Sequence, residues 1–233
     1  MQAKIKRIIN MLFYHESWDI MIIKDHGTHL FPDNTLEILN KSAAQQLKKK
    51  YTFQADPFLI EKDDKLYVFY EAFSFRNSKG TLRCRILDRE LTEIDDVKLE
   101  GFDDLRCHLS FPFLININNQ LFMIPESSER KEVLLFQSVE FPARWKKIKV
   151  LLSDTEVTDN IFLSINETCY LLSTTMDNKI IIHSAEHLHG QWQRITPTLK
   201  VSNHHHRGAG TPYLVDNKMY FLTQECTPET YGK

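Results

Sequence analysis

From residue 51 onward, short apolar runs alternate with polar turns, and the runs fall into pairs that repeat along the chain. The first pair is Asp56-Pro57-Phe58-Leu59-Ile60, a polar stretch at 61–65, and Leu66-Tyr67-Val68-Phe69-Tyr70-Glu71. The second is Phe111-Pro112-Phe113-Leu114-Ile115, a polar stretch at 116–120, and Leu121-Phe122-Met123-Ile124-Pro125-Glu126. A third reads Asn160-Ile161-Phe162-Leu163, then Cys169-Tyr170-Leu171-Leu172-Ser173-Thr174. The fourth reads Thr211-Pro212-Tyr213-Leu214-Val215, the tight turn Asp216-Asn217-Lys218, then Met219-Tyr220-Phe221-Leu222-Thr223-Gln224. Between the first two pairs a proline (57 to 112), an aromatic residue (67 to 122) and a glutamate (71 to 126) keep a common offset of 55 residues. Each pair has the length and the aromatic and β-branched content of a hairpin, and its continuous apolarity predicts burial on both faces.

A period near fifty residues is what propellers and arrays produce. Further strands are predicted after the hairpins, at 81–87, 132–139 and 179–184 and then at 94–99, 145–152 and 192–199, so a unit holds the four strands of a blade. Trp145 and Trp192 open two of those last strands. The expected fold is therefore all-β, a five-bladed β-propeller with blades at 51–100, 105–152 and 157–200 and a partial one at 207–233. The fifth blade is incomplete, or is completed by residues 1–50, where 1–14 reads as a short basic amphipathic helix packed on the domain and 18–23 as a strand. A β-sandwich of look-alike strands is the competing architecture, and the equal offsets weigh against it.

Composition agrees with strands: Phe occurs 15 times and Tyr 8 times. A net charge of −2, with Lys and Arg scattered among acids, lacks the basic footprint of a nucleic-acid binder. The four cysteines show no zinc-ligand spacing and follow no apolar leader, from which reduced thiols and a cytoplasmic location are expected. No run approaches the roughly 20 apolar residues of a transmembrane helix. His204-His205-His206 looks like a metal tract, but adjacent histidines on an extended chain point to alternate sides and no carboxylate spacing matches them. No metal and no other cofactor is expected.

In an antiparallel hairpin the start of the first strand lies beside the end of the second. The second strands end at Glu71, Glu126, Thr174 and Gln224, and just before the first strands lie Asp56, His108 with Ser110, Asp159 with Asn160, and Arg207. Blade symmetry aims these groups at one axial pocket. A carboxylate at the end of a buried strand is costly unless it is paired or used. Asp56 and Glu126 are the candidate catalytic carboxylates, and Glu71, His108, Ser110, Asp159, Arg207 and Gln224 the candidate binding residues. Structural roles compete with these: Asp56 as a turn starter, Glu71 and Glu126 neutralised by Arg76, Arg106, Arg130 or Arg207, and His108 as a satisfied buried histidine. Gly208-Ala209-Gly210, after Arg207, offers backbone that a ligand can approach closely.

The strings ADPFLI with VFYEAF, KGTL, HLSFPFLI, MIPES, FPARW, LHGQW, RGAG, and QEC followed by YG resemble the N-terminal domain of glucosamine inositolphosphorylceramide transferases and its bacterial relatives, from residue 18 to the end. That domain is in turn similar to the five-bladed propellers of glycoside hydrolase family 43. The resemblance implies a carbohydrate-handling pocket in glycan or glycolipid assembly, a sugar or glycan as ligand, and a transferase domain, fused or separate, as partner. On the hydrolase pattern Asp56 matches the general base that opens the first inner strand. The second Asp of that pattern falls at Ser110-Phe111-Pro112 and the acid Glu at Asp159-Asn160-Ile161, so neither partner is clearly present. Inverting hydrolysis needs two carboxyl groups about 6.5–9.5 Å apart, which leaves Asp56 with Glu126 or Glu71 as the pair to consider. Three functions stay open: a sugar-binding propeller, a glycosidase or glycosyl-transferring enzyme, and a non-catalytic protein-interaction propeller. For the sugar readings, Tyr67, Tyr70, Phe73 or Tyr213 is the expected stacking surface.

Overall fold

The computed structural model describes residues 17–23, 44–75, 78–196, 206–216 and 218–226. The helix expected at 1–14, Arg76, and His204 and His205 of the histidine run lie outside these residues. In chain order, β1 (Met21–Ile23) and β2 (Ala44–Gln46) form a two-stranded antiparallel pair. The first blade is β3 (Phe53–Lys62), β4 (Lys65–Ser74), β5 (Lys79–Leu87) and β6 (Glu93–Lys98). The second is β7 (Ser110–Ile117), β8 (Gln120–Glu126), β9 (Val133–Glu140) and β10 (Arg144–Leu152). The third is β11 (Val157–Ile165), β12 (Thr168–Thr175), β13 (Ile180–Ala185) and β14 (Gln193–Ile195). In the last unit β15 (His206–Gly208) pairs with β18 (Thr223–Glu225), and between them β16 (Tyr213–Val215) pairs with β17 (Lys218–Tyr220).

Each four-stranded sheet uses its strands in sequence order, and successive units meet through their first strands, β3 against β7, β7 and β8 against β11, and β11 against β15. This is the construction of a β-propeller, not of two facing sheets. The inner hairpins of the three complete blades turn on two consecutive left-handed residues, Asp63-Asp64, Asn118-Asn119 and Asn166-Glu167. Two central residues at positive φ make the tight turn whose twist matches that of the flanking strands, and Asp and Asn tolerate it best among residues with a side chain.

The continuous apolarity of β4 has the consequence expected of it. Tyr67 and Phe69 enter the main core with Phe113, Phe122 and Trp145 of the second blade. Val68, Tyr70 and Ala72, on the other face, pack with Ile20, Ile22 and Leu47 beside β1 and β2. Full burial of side chains of this size contributes about 1.5–3 kcal/mol each. Trp145, 3% exposed, donates its indole N–H to the Pro142 carbonyl at 2.9 Å and meets the Phe69 ring edge-on, centroids 5.9 Å apart, so the outer strand of the second blade is tied to the first.

One irregularity recurs where the blades open onto the axis. Ala55 pairs with Glu71, Ser110 with Glu126 and Thr158 with Thr174, and after each pair the first strand bulges before pairing resumes at Phe58, Phe113 and Ile161. The residue that starts each bulge is left-handed: Asp56 (φ 51), Phe111 (φ 44) and Asp159 (φ 49). In the last unit Arg207 pairs with Gln224 and Tyr213 with Tyr220. Arg207 therefore holds the place of Ala55, and the alignment of Thr211-Pro212 with Asp56-Pro57 is corrected. The run from Arg207 to Tyr213 is one residue longer than that from Ala55 to Ile60, and counted back from Tyr213, which holds the place of Ile60, Thr211-Pro212 stand at Phe58-Leu59.

Candidate functional site

The inner-strand mouths surround a cavity of about 690 Å³. Asp56, Glu71, His108 and Ser110 line it from the first two blades, Glu126 from the end of β8, and Arg207 and Gln224 from the last unit. Residues up to 168 positions apart in sequence are thus brought together by the register just described.

Two polar arrangements organise the mouth. Asp159 is 2% exposed and lies behind the lining, where it accepts from Arg207 twice, Nε to Oδ2 at 2.7 Å and Nη2 to Oδ1 at 2.8 Å. The same guanidinium comes within 3.8 Å of Glu126 Oε2. Glu126 also accepts from the Ser128 hydroxyl at 3.2 Å and the Asp159 N–H at 3.4 Å. On the opposite side, His108 Nε2 sits 3.1 Å from Glu71 Oε1, while the Gly80 N–H donates to His108 Nδ1 at 3.0 Å. That donation requires an unprotonated Nδ1 and so puts the imidazole proton on Nε2, facing the carboxylate. The contact is poorly aligned for a hydrogen bond, and the buried Glu71 Oε1 keeps accepting capacity in hand. Gly80 is required here: a Cβ would come within 2.8 Å of the His108 ring and closer still to Glu71 Oε1 and the Leu109 carbonyl.

Among the described residues Asp56 accepts the Phe111 N–H alone, at 3.2 Å, across the first blade boundary. Burial is the main force on its carboxyl and pushes it up to about 7, with the charges of Glu71, Asp159 and Glu126 adding to the rise and Arg207 opposing it. Glu126 is likewise pushed up to about 7 by burial and then by Asp159, against Arg207, the Asp159 N–H and His108. Burial pulls His108 down, but the Glu71 carboxylate beside it, with Glu126 and Glu129 beyond, outweighs burial and holds it above its ordinary value. Among the described residues the cavity therefore holds two carboxyl groups, Asp56 and Glu126, pushed up to about 7, a third, Glu71, against a histidine, a fourth, Asp19, at its N-terminal side, and one guanidinium committed to carboxylates.

Several expectations change. Asp159 is a positioning residue for Arg207 rather than part of the lining. Thr174 accepts the Gly208 N–H at 3.3 Å and braces the last unit. Among the arginines, Arg130 pairs with Glu132 and Arg207 with Asp159, so neither serves Glu71. Gly208 leaves room for protein, since a Cβ there would lie 2.8 Å from Ile161 Cδ1, whereas Ala209 and Gly210 do line the cavity. Tyr67 and Tyr70 are buried in the two cores, and neither they nor Phe73 and Tyr213 line the cavity. Its aromatic lining is Trp18, Phe53, Phe58 and Phe111. Phe53 was detectable as the strand residue two before Ala55; Trp18 had no signal beyond its place in a predicted strand. Among the described residues no cluster of His, Cys, Asp and Glu is arranged to hold a metal ion, and no helix is long and apolar enough to cross a membrane.

Comparison with known proteins agrees with this geometry. The family described as glucosamine inositolphosphorylceramide transferase 1, N-terminal, matches residues 25–233. The chain is 30% identical over 192 residues to glucosamine inositolphosphorylceramide transferase 1 of Arabidopsis thaliana, covering 78% of this chain and 24% of that protein. It is 28% identical over 195 residues to the protein of the same name from Oryza sativa subsp. japonica, covering 78% and 25%. The chain thus spans about a quarter of these relatives' length. Among solved structures, the catalytic domain of the Coprinopsis cinerea GH62 α-L-arabinofuranosidase superposes with a TM-score of 0.60 at 11% identity, over 76% of this chain and 61% of that one. The β-xylosidase RS223 gives 0.57 at 14% identity, over 78% and 67%. At these identities the likeness is one of fold.

Proposed function

Because the chain belongs to the family of glucosamine inositolphosphorylceramide transferase N-terminal domains, we propose that it is a carbohydrate-handling propeller of glycan or glycolipid assembly that binds a sugar in its axial cavity. The observation that carries this reading is the convergence of Asp56, Glu71, Glu126 and Gln224 on one cavity with aromatic side chains beside them. Carboxylates and an amide accept from and donate to sugar hydroxyls, and a cavity of this size fits one or two sugar rings. Among the described residues, four lining carboxyl groups (Asp19, Asp56, Glu71 and Glu126) against one already paired guanidinium favour an uncharged or amine-bearing sugar over a sugar phosphate or sugar nucleotide. Calorimetric and thermal-shift titration with glucosamine, N-acetylglucosamine, mannose, arabinose and xylose tests it. At least one binds, and Glu71→Gln and Glu126→Gln weaken that binding; absence of binding, or indifference to both substitutions, overturns the reading.

Turnover is a second reading, supported by the placement of Asp56 and Glu126 in one cavity with carboxyls held near 7. Such groups suit proton donation and withdrawal at neutral pH. Hydrolysis of an aryl glycoside that is lost in Asp56→Asn establishes it. No hydrolysis across a panel that includes a bound sugar leaves a binding module.

A further inference from the structure

Most of the cavity lining comes from the four repeated units, but Trp18 and Asp19 do not. Trp18 precedes β1 and lines the cavity next to Asp19 and to Phe53 of β3. Its main chain is fixed, because the Gln54 N–H donates to the Trp18 carbonyl at 2.9 Å. Two residues on, Ile20 is 2% exposed in the cluster that packs the N-terminal pair on the first blade. Asp19 is braced as well, accepting from Gln46 Nε2 at 3.2 Å with Lys49 Nζ 3.8 Å away. The neighbouring Phe53 is held by a parallel stack on Phe73, centroids 4.3 Å and planes 7° apart. Trp18 itself is half-buried and lines the cavity.

We infer that Trp18 is the specificity-determining residue of this cavity, an aromatic platform on an anchored main chain, supplied from outside the four repeated units, on which the C–H face of a saccharide packs. The inference rests on the sugar-binding reading above. A sugar ring has an apolar face and a polar edge, and a rigid aromatic group takes the face while hydrogen-bonding groups take the edge. Asp56, Glu71 and Glu126 are those groups here. The platform reaches the cavity because the β1–β2 pair lies along the first blade, so ligand selection by this propeller depends on a segment outside its four repeated units.

Tryptophan emission gives a direct readout, since the chain has three tryptophans. Trp145 is buried between the first two blades and Trp192 packs against Phe162, and neither lines the cavity. The probes are the five sugars named above, followed by emission and by calorimetry. For any sugar that binds, the wild-type emission shifts and the shift is abolished in Trp18→Phe, which keeps affinity within roughly threefold, while Trp18→Ala loses about tenfold or more. Thermal unfolding of Trp18→Ala monitors the packing of the N-terminal pair. Should Trp18→Ala leave that pair unpacked, Trp18→Phe alone decides, through its emission. Wild-type affinity in Trp18→Ala, or an emission shift that survives in Trp18→Phe, overturns the inference and leaves the sugar-binding reading standing. Failure of the wild type to bind any sugar overturns that reading, and this inference with it.

Discussion

Asp56 and Asp159 occupy the same place in the first and third blades, each left-handed at the start of the inner-strand bulge, yet they have opposite surroundings. Asp159 is closed over by a bidentate guanidinium from the next unit. Asp56 looks into the cavity with one backbone N–H as partner. Position in the repeat therefore sets where a carboxylate is presented, and the neighbouring unit decides whether it is tied up as a structural anchor or left facing the cavity. The third-blade mouth is consolidated for stability, whereas the first-blade mouth keeps unspent hydrogen-bonding capacity at Glu71 Oε1.

The sharpest way to break this contrast is Arg207→Met. It strands Asp159 as a buried charge without its partner, a situation that costs about 3–5 kcal/mol, to be read from urea unfolding at neutral pH. Stability within 1 kcal/mol of wild type, on the order of a surface substitution, would refute the anchor. Next in size is Gly80→Ala, which drives a methyl into the His108–Glu71 contact. A destabilisation of about 1–3 kcal/mol is expected, with sugar binding weakened through the displaced Glu71, by the same unfolding assay and by calorimetry. The effect of Asp56→Asn depends on pH and vanishes in acid. A carboxyl raised from 3.8 to about 7 on folding binds its proton more tightly in the folded state, so it makes stability fall as pH rises from about 4 through 7. Asn keeps an acceptor for the Phe111 N–H and tolerates positive φ, so the variant should match wild type near pH 4 and gain about 1 kcal/mol or more by pH 8. A parallel pH profile for the two proteins would show that Asp56 is not held protonated.

The hairpins were legible in the sequence because burial on both faces leaves a run with no polar alternation, and a common offset links the first two. The last unit was framed incorrectly for a local reason. Thr211-Pro212 has the look of Asp56-Pro57, but it lies in the interruption between β15 and β16, and only the pairing of Arg207 with Gln224 reveals the added residue. Glu71, Glu126 and Gln224 line one cavity, and their places follow from strand ends. Asp159 was misassigned because its role depends on a partner 48 residues away, which no spacing rule supplies. Tyr67 and Tyr70 were misassigned as sugar surfaces because alternate residues of β4 enter two separate cores.

Phe111 carries a consequence of its own. A bulky side chain at φ 44 sits in a region that costs a residue with a Cβ about 1–2 kcal/mol. Its ring is held against that of Phe58, centroids 4.9 Å apart. The second blade thus retains the same bend as its neighbours with an apolar tenant in place of an acidic one. Address and occupant are separable in this scaffold: the backbone delivers whatever residue stands at the bend to the axis. Its chemistry can be rewritten one side chain at a time without redrawing the frame.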